Sequence, residues 1–187
     1  MYYHKSRFTF LQLCILVALI GVFVGFSTPG TFSVLTAGDV SSDARKLADA
    51  MYFARNEADS QGMPVSLCPA RDGRYCEAQP ESYSDWLVFS DRNGNGQIDM
   101  GDDRPVKVFN RIVNGTQIIP DPTVKSGMTF LPGGAIRSEN GHLVRGSVFT
   151  VCPSTADEAL AQQVGLGSDG VIRIRDVGND RHDLCRV

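Results

Sequence analysis

Two kinds of hydrophobic periodicity divide this chain, one typical of helices and the other of strands. An apolar stretch runs from Phe8 to Phe26, broken only by Thr9 and Gln12. Its length of about 19 residues, at a rise of about 1.5 Å per residue, matches the ~30 Å hydrocarbon core of a bilayer. The pattern predicts a membrane-spanning helix that is kinked or interrupted at Pro29.

A second, amphipathic helix is predicted from Asp39 to Gln61. Aspartate and serine residues at its start are suitable caps, and Gly62 and Pro64 end it. Apolar residues recur at intervals of three and four, which places them on one stripe of the helix. The stripe consists of Val40, Ala44, Leu47, Met51, Ala54 and Ala58.

After Gly62 the apolar residues occur in short runs with a period close to two, as strands require. Turn-forming pairs such as Asn93-Gly94 and Asp169-Gly170 separate these runs. Short strands joined by tight turns form antiparallel sheets, so a helical region followed by strands predicts an α+β fold. The predicted strands are Val65–Cys68, Trp86–Ser90, Val106–Ile112, Thr116–Ile119, Met128–Leu131, Ser147–Cys152, Leu160–Leu166 and Val171–Asp176.

Basic residues lie on one side of the apolar stretch. Lys5 and Arg7 precede it, and no lysine or arginine follows before Arg45. The positive-inside rule therefore puts the N-terminus in the cytoplasm and the rest of the chain across the membrane. The net charge is −3, and an acidic domain of this kind does not attract nucleic acid over its whole surface.

These features divide the chain into three parts. Residues 1–7 form a basic leader, and residues 8–37 form a transmembrane and assembly segment with a kink at Pro29. Residues 38–187 form a periplasmic globular domain of about 150 residues, which is long enough for one hydrophobic core.

Five cysteines divide into one in the apolar stretch and four in the exported part. Cys14 is interpreted as a small buried hydrophobic residue. The other four favour two disulfides over a zinc site, because the compartment is oxidising and no Cys-x-x-Cys motif occurs. Four cysteines allow three pairings. Cys68 with Cys76 would close a short loop, and Cys152 with Cys185 would hold the C-terminus to an upstream strand.

The order of these motifs resembles that of type IV pilins and type II secretion pseudopilins, and among them the GspH/FimT-type minor pilins. The segment that starts at Phe8 is similar to the start of a mature pilin, and Pro29 then falls at the twenty-second mature position, where such pilins carry proline. The resemblance implies a pilin fold, in which a long N-terminal helix, half membrane-embedded and half amphipathic, packs on antiparallel sheet. The matching segments are ARKLADAMYFARNEADSQGMPVSLCPA, WLVFSDRNGNGQID, VFTVCPS and GVIRIRDV.

Two residues depart from the family's N-terminal pattern. Arg7 stands where prepilin peptidases take glycine, and Gln12 stands where the fifth mature residue is glutamate. The resemblance implies that this glutamate pairs with the free terminal amine of an adjacent subunit, whereas Gln12 offers only neutral hydrogen bonds. Our hypothesis is that the leader stays uncut, that Phe8 is neither freed nor methylated, and that the chain occupies a filament tip.

Residues 91–102 fit the spacing of a calcium-binding loop. Oxygen-bearing side chains fall at the ligand positions of such a loop, with glycine at the sixth position and an apolar residue at the eighth. The alternative is a hairpin whose Asn-Gly pairs supply positive φ angles. The candidate ligands are Asp91, Asn93, Asn95, Gln97, Asp99 and Asp102.

Arg173 and Arg175 alternate with isoleucines and therefore share one face of a predicted strand. FimT-type pilins that act in DNA uptake carry a C-terminal Gly-Arg-x-Arg-like motif, and here only Arg173 falls in register, because Val171 follows Gly170. DNA binding at these arginines is thus one interpretation, and a solvated strand face is the other.

No catalytic constellation stands out, so we predict no enzyme activity and no cofactor other than the calcium considered above. The predicted function is that of a minor pilin or pseudopilin that helps to initiate or cap a type IV pilus or a type II secretion pseudopilus. Its expected partners are other minor and major pilins or pseudopilins and inner-membrane lipid. Two alternatives are a DNA-binding minor pilin in DNA uptake and a membrane-anchored periplasmic calcium-binding domain outside any filament.

Overall fold

The chain forms two compact units, residues 1–35 and residues 36–187. Helix α1 lies in the first unit, and helix α2 begins there and continues into the second. A computed structural model describes residues 9–26, 31–70, 73–77, 85–110, 116–125, 127–154, 158–167, 170–177 and 184–185.

Helix α1 spans Phe10–Phe26 and contains 17 residues, and its sequence is apolar apart from Gln12. Residues 9–22 are all exposed. Within the described ranges, no helix is both long enough and apolar enough to span a membrane. Arg7, Phe8 and Pro29 lie outside the described residues, so the expectations for processing and for the kink stay predictions.

Helix α2 spans Thr31–Gln61, which is eight residues more at its start than the sequence predicted from Asp39. The expected interruption does not extend past residue 30, because the segment that follows contains no proline and its one glycine costs only about 1 kcal/mol. The end of the helix is as predicted, since Gly62 adopts a φ of 64°, the left-handed conformation that commonly terminates helices.

In the described part of the chain, nine strands follow and form two antiparallel sheets. The five-stranded sheet has the order β3-β2-β1-β5-β6, and the four-stranded sheet has the order β4-β7-β8-β9. The predicted α+β class is therefore confirmed. The strands are β1 (Val65–Ala70), β2 (Asp85–Ser90), β3 (Arg104–Asn110), β4 (Thr116–Pro120), β5 (Met128–Phe130), β6 (Ile136–Ser138), β7 (Gly146–Pro153), β8 (Gln162–Leu166) and β9 (Ile172–Asp176).

Apart from shifts of one or two residues at strand ends, such as the start of β3 at Arg104 rather than Val106, two local details differ from the sequence prediction. Strand β6 was not predicted, because its three residues are too few to show an alternating pattern. Leu160 was assigned to a strand, but it ends a short 3₁₀ helix, Glu158–Leu160, immediately before β8.

The apolar stripe of α2 lies at the centre of the globular unit. All six residues predicted for it are buried, and they belong to one core cluster with side chains from both sheets. Trp86 from the five-stranded sheet meets Phe149 from the four-stranded sheet edge to face, with ring centroids 4.9 Å apart. The two sheets and the helix thus share a single hydrophobic core.

The face of the five-stranded sheet that points away from α2 is also covered. Cys68 and Leu87, with Ala70 and Phe89, form a second buried cluster, against which Ile98 packs. All six residues of β1 are therefore buried, although only alternate side chains face the main core.

Two disulfides form, as the sequence predicted. Cys68 bonds to Cys76, which closes the short loop beside the second cluster. Cys152 at the end of β7 bonds to Cys185 near the C-terminus. Four cysteines allow three pairings. In the pairing that forms, one disulfide joins cysteines 8 residues apart and the other joins cysteines 33 residues apart.

Gly127 is the point at which the chain approaches the central strand β1 before it enters β5. Its φ of +132° is a conformation that other residues rarely adopt. A Cβ atom there would lie 2.5 Å from the Leu67 carbonyl oxygen and 3.1 Å from the Cys68 Cα. Only glycine fits this position without displacing β1.

We expect Gly127→Ala to lower the free energy of unfolding by at least about 3 kcal/mol, because backbone strain and a clash with β1 add together. Urea unfolding of the full-length chain in detergent, followed by the fluorescence of its single tryptophan, Trp86, measures this.

Gly101→Ala is the matched control. Gly101 has a φ of +103°, but a Cβ atom added there would meet no atom within 4 Å, so only the strain contributes, at about 1–2 kcal/mol. Equal losses in the two variants would show that the approach to β1 is not tightly packed.

Candidate functional site

The N-terminal end of α1 is capped by a side chain of the same helix. The Thr9 N–H donates to Gln12 Oε1 at 3.1 Å, and the Gln12 N–H donates to the Thr9 carbonyl oxygen at 2.9 Å. Thr9 therefore acts as the N-cap and Gln12 reaches back from the third helical position, as in half of a capping box. Gln12, at the position of the family's glutamate, is thus already used within its own helix.

The surface of α1 is a continuous apolar one. Phe10 is 83% exposed and Val17 is 61% exposed, and the other large side chains between them are similarly accessible. Apolar surface of this extent marks a contact with protein or lipid. Cys14 is a free cysteine and is exposed, not buried as expected from its sequence context, because it shares this accessible surface.

The loop between β2 and β3, residues 91–103, is organised around the carboxylate of Asp91, which is fully buried. Its Oδ1 accepts the N–H of Gly94 at 2.7 Å, and its Oδ2 accepts the N–H of Gly96 at 2.8 Å and the hydroxyl of Ser66 at 2.6 Å. Ser66 lies on β1, so this one carboxylate joins the loop to the centre of the sheet.

In the exposed half of the loop, a second aspartate carboxylate accepts hydrogen bonds from side chains of the loop. Asp99 Oδ2 accepts Nδ2 of Asn93 at 2.8 Å and Nδ2 of Asn95 at 2.9 Å. Asp103, which the calcium pattern did not include, accepts the backbone N–H of Arg92 and of Asp99. The hairpin interpretation is supported in one respect, since Gly94 and Gly96, the glycines of the two Asn-Gly pairs, have positive φ angles.

The described part of the chain contains no group of three or more histidine, cysteine, aspartate or glutamate side chains arranged to hold a metal ion. Asp91, Asn93, Asn95 and Asp99 are brought together by hydrogen bonds, while Asp102 is exposed. The convergence of these side chains is explained by the hydrogen bonds themselves. Calcium binding stays a prediction.

Arg173 and Arg175 lie on β9, an edge strand of the four-stranded sheet, and both are exposed. They stand opposite Gly165 and Gln163 of β8. Both arginines occupy one face of the strand, as the alternation predicted, while Ile172 points to the core. DNA binding at these residues stays a prediction.

Polar side chains of α2 bind the backbone of loops that the two sheets present. The Tyr52 hydroxyl donates to the Ile172 carbonyl oxygen at 2.6 Å, and Arg55 Nη1 donates to the Gly170 carbonyl oxygen. Asp59 accepts the N–H of Gly133 at 2.9 Å. Sequence reasoning missed these residues, because a polar residue beside an apolar stripe gives no signal that distinguishes a tether from a solvated side chain.

Comparison with known proteins leads to one family. A profile of the family described as "Type II transport protein GspH" matches residues 43–170, which is more than half of the chain. A search of curated proteins finds no match.

Two structures of a minor pilin and one of a minor pseudopilin are among the solved structures that are similar to this chain. Two are crystal structures of the Pseudomonas aeruginosa type IV minor pilin FimU. One is 17% identical, with a TM-score of 0.48, and the match covers 72% of this chain and 91% of FimU. The other is 16% identical, with a TM-score of 0.50 and coverage of 74% and 88%. The Vibrio cholerae minor pseudopilin EpsH of the type 2 secretion system is 13% identical, with a TM-score of 0.43 and coverage of 74% and 97%.

We expect Asp91→Ala to lower the free energy of unfolding by at least about 3 kcal/mol, because buried N–H and O–H donors lose their acceptor. The exposed Asp102→Ala is the control and should change it by less than about 0.5 kcal/mol. Urea unfolding of the full-length variants in detergent measures both, and equal effects would contradict the role given to Asp91.

Calcium binding by the same loop is tested by thermal unfolding of the protein in calcium chloride and, separately, in a chelator. A calcium-dependent rise in the wild-type melting temperature that Asp99→Ala removes would establish the site. Identical melting temperatures under both conditions would leave the loop with its hydrogen-bonding role alone.

Proposed function

The chain belongs to the GspH family, so it is a minor pilin or pseudopilin, and we propose that it helps to initiate or cap a type IV pilus or a type II secretion pseudopilus. The observation that carries this proposal is an exposed apolar helix in a chain whose globular part matches the family. The family is described as a type II transport protein and FimU as a type IV minor pilin, so both kinds of filament are retained in the proposal.

The proposed mechanism is helix packing rather than catalysis. Burying apolar surface stabilises an assembly by about 25 cal/mol per Å², so exposed side chains along α1 favour contact with equivalent helices of neighbouring subunits. Before assembly, lipid would cover the same surface. The globular unit, residues 36–187, would then face other minor subunits.

We propose that the protein is held at the inner membrane with a cytoplasmic N-terminus and a periplasmic globular unit until it enters the filament. The basic residues Lys5 and Arg7 before α1 support this orientation. The two disulfides also support it, because disulfides persist in an oxidising compartment such as the periplasm.

The start of α1 supports a position at the filament tip. Gln12 caps its own helix and carries no charge, so it offers no counter-ion to the terminal amine of another subunit. A subunit above which no further subunit lies does not need that counter-ion. The uncleaved leader is the second part of this proposal.

Helix packing is tested by replacing Val17 with the photo-cross-linking amino acid p-benzoylphenylalanine in the full-length chain, in its own cells. We expect covalent products with the apolar helix of another pilin-type subunit, identified by mass spectrometry of the membrane and filament fractions. The same replacement at Met100, which is 80% exposed in the loop after β2, is the control and should not yield helix-linked products. Absence of any pilin-type product from Val17 would contradict the proposed function.

Processing is tested by the intact mass of the protein purified from membranes. We expect a mass that includes residues 1–7, because Arg7 does not fit where a peptidase takes glycine. An Arg7→Gly variant provides the control and should be cut before Phe8. A wild-type N-terminus at Phe8, methylated or not, would refute the uncleaved form and leave the filament role intact.

A further inference from the structure

A cavity of about 300 Å³ opens between the two sheets, at the end of the core. Its walls come from the β5–β6 turn of one sheet and the β8–β9 turn of the other, and Arg55 of α2 forms part of its lining. Gly133, Gly134, Gly167 and Gly170 line it, so backbone rather than side chain forms much of the wall. Glycine-rich walls allow close approach of a guest group.

The cavity is cationic. Arg55 and Arg145 both line it, and no aspartate or glutamate among the described residues does so. The carboxylate of Asp59 accepts the N–H of the lining residue Gly133 and is not itself part of the lining. The Arg55 guanidinium is held in place by the Gly170 carbonyl oxygen. It also lies so close to Gly134 that a Cβ there would stand 2.5 Å from Arg55 Nη2. One cation is thus fixed by the fold, while Arg145 is exposed.

The rim of the cavity carries an apolar side chain beside the exposed Arg145. Leu143 is 58% exposed, and Ile136 and Leu166 lie further in, where both are buried. Arginine is enriched at protein interfaces, and the exposed leucine beside it adds apolar surface that a partner can bury. A small cavity with an exposed arginine and leucine at its rim, and with apolar side chains and the part-buried Arg55 further in, fits a side chain that has methylenes and ends in a carboxylate.

From this geometry we propose that the cavity between the β5–β6 and β8–β9 turns receives an aspartate or glutamate side chain of a neighbouring filament subunit, which binds Arg145 and Arg55. Arginine binds carboxylates through two parallel hydrogen bonds, which sets orientation as well as affinity. The proposal rests on the proposed function, because the neighbour is a filament subunit. It adds a specific contact of the globular unit to the packing of α1.

The test places p-benzoylphenylalanine at Leu143 in the full-length chain, in its own cells, and identifies the cross-linked peptides by mass spectrometry. We expect products with a pilin-type subunit at a segment that carries an aspartate or glutamate within a few residues of the cross-link. Arg145→Glu should lower their yield about tenfold, because it places two like charges together. Arg145 is exposed, so the variant retains the fold.

Arg104→Glu is the matched control. Arg104 is an exposed arginine on β3, at the opposite edge of the five-stranded sheet from β6, and its reversal changes the net charge by the same amount. The yield should not change. Replacing the identified acid of the partner with arginine should restore the yield in the Arg145→Glu background.

Four outcomes would overturn the cavity contact: a partner segment without an acid, an unchanged yield in Arg145→Glu, an equal loss in Arg104→Glu, or no rescue by the reversed pair. If Val17 yields pilin-type products and Leu143 yields none, the cavity contact is wrong and the proposed function stands. If neither position yields them, both are wrong. If Leu143 alone yields them, the cavity contact stands and helix packing is wrong.

Discussion

Burial of one helical stripe between two sheets is the interaction on which the rest of the globular unit depends. Met51 and its neighbours along the stripe contact strands from both sheets, and Trp86 and Phe149 meet across the same core. Each large apolar side chain of this core contributes about 1.5–3 kcal/mol when it leaves water. Because this helix and both sheets share one core, the β5–β6 and β8–β9 turns, which α2 also binds, are held in position relative to it.

Polar contacts then fix the loops and turns that the apolar core has brought close together. Asp91 brings a long loop onto the central strand by accepting backbone N–H groups and the Ser66 hydroxyl, and no apolar residue could satisfy those donors. Tyr52 and Arg55 hold the β8–β9 turn against the helix. The three candidate binding features are the loop between β2 and β3, the edge strand β9 and the cavity. Each of them adjoins helices or strands that the core holds in place.

The sequence predicted what depends on periodicity and failed where structure depends on which segments meet. The stripe from Val40 to Ala58 and most strands follow from spacing alone. The start of α2 was placed too late, because the serine, threonine and glycine residues before Asp39 have weak helix propensity but do not stop a helix as proline does. The tethers at Tyr52 and Arg55 and the cavity beside Arg145 were missed, because each needs the fold to bring distant loops opposite one helix.

The attachment of the last hairpin to α2 also determines how the globular unit carries mechanical load. A force that enters from the N-terminal side pulls along the axis of α2. The contacts of the stripe and the bonds from Tyr52 and Arg55 then resist the force together, because all of them join α2 to the sheets. Cys152 and Cys185 close the chain behind β9, so the final strand cannot be unzipped from its free end. A globular unit drawn by its helix therefore moves as one body.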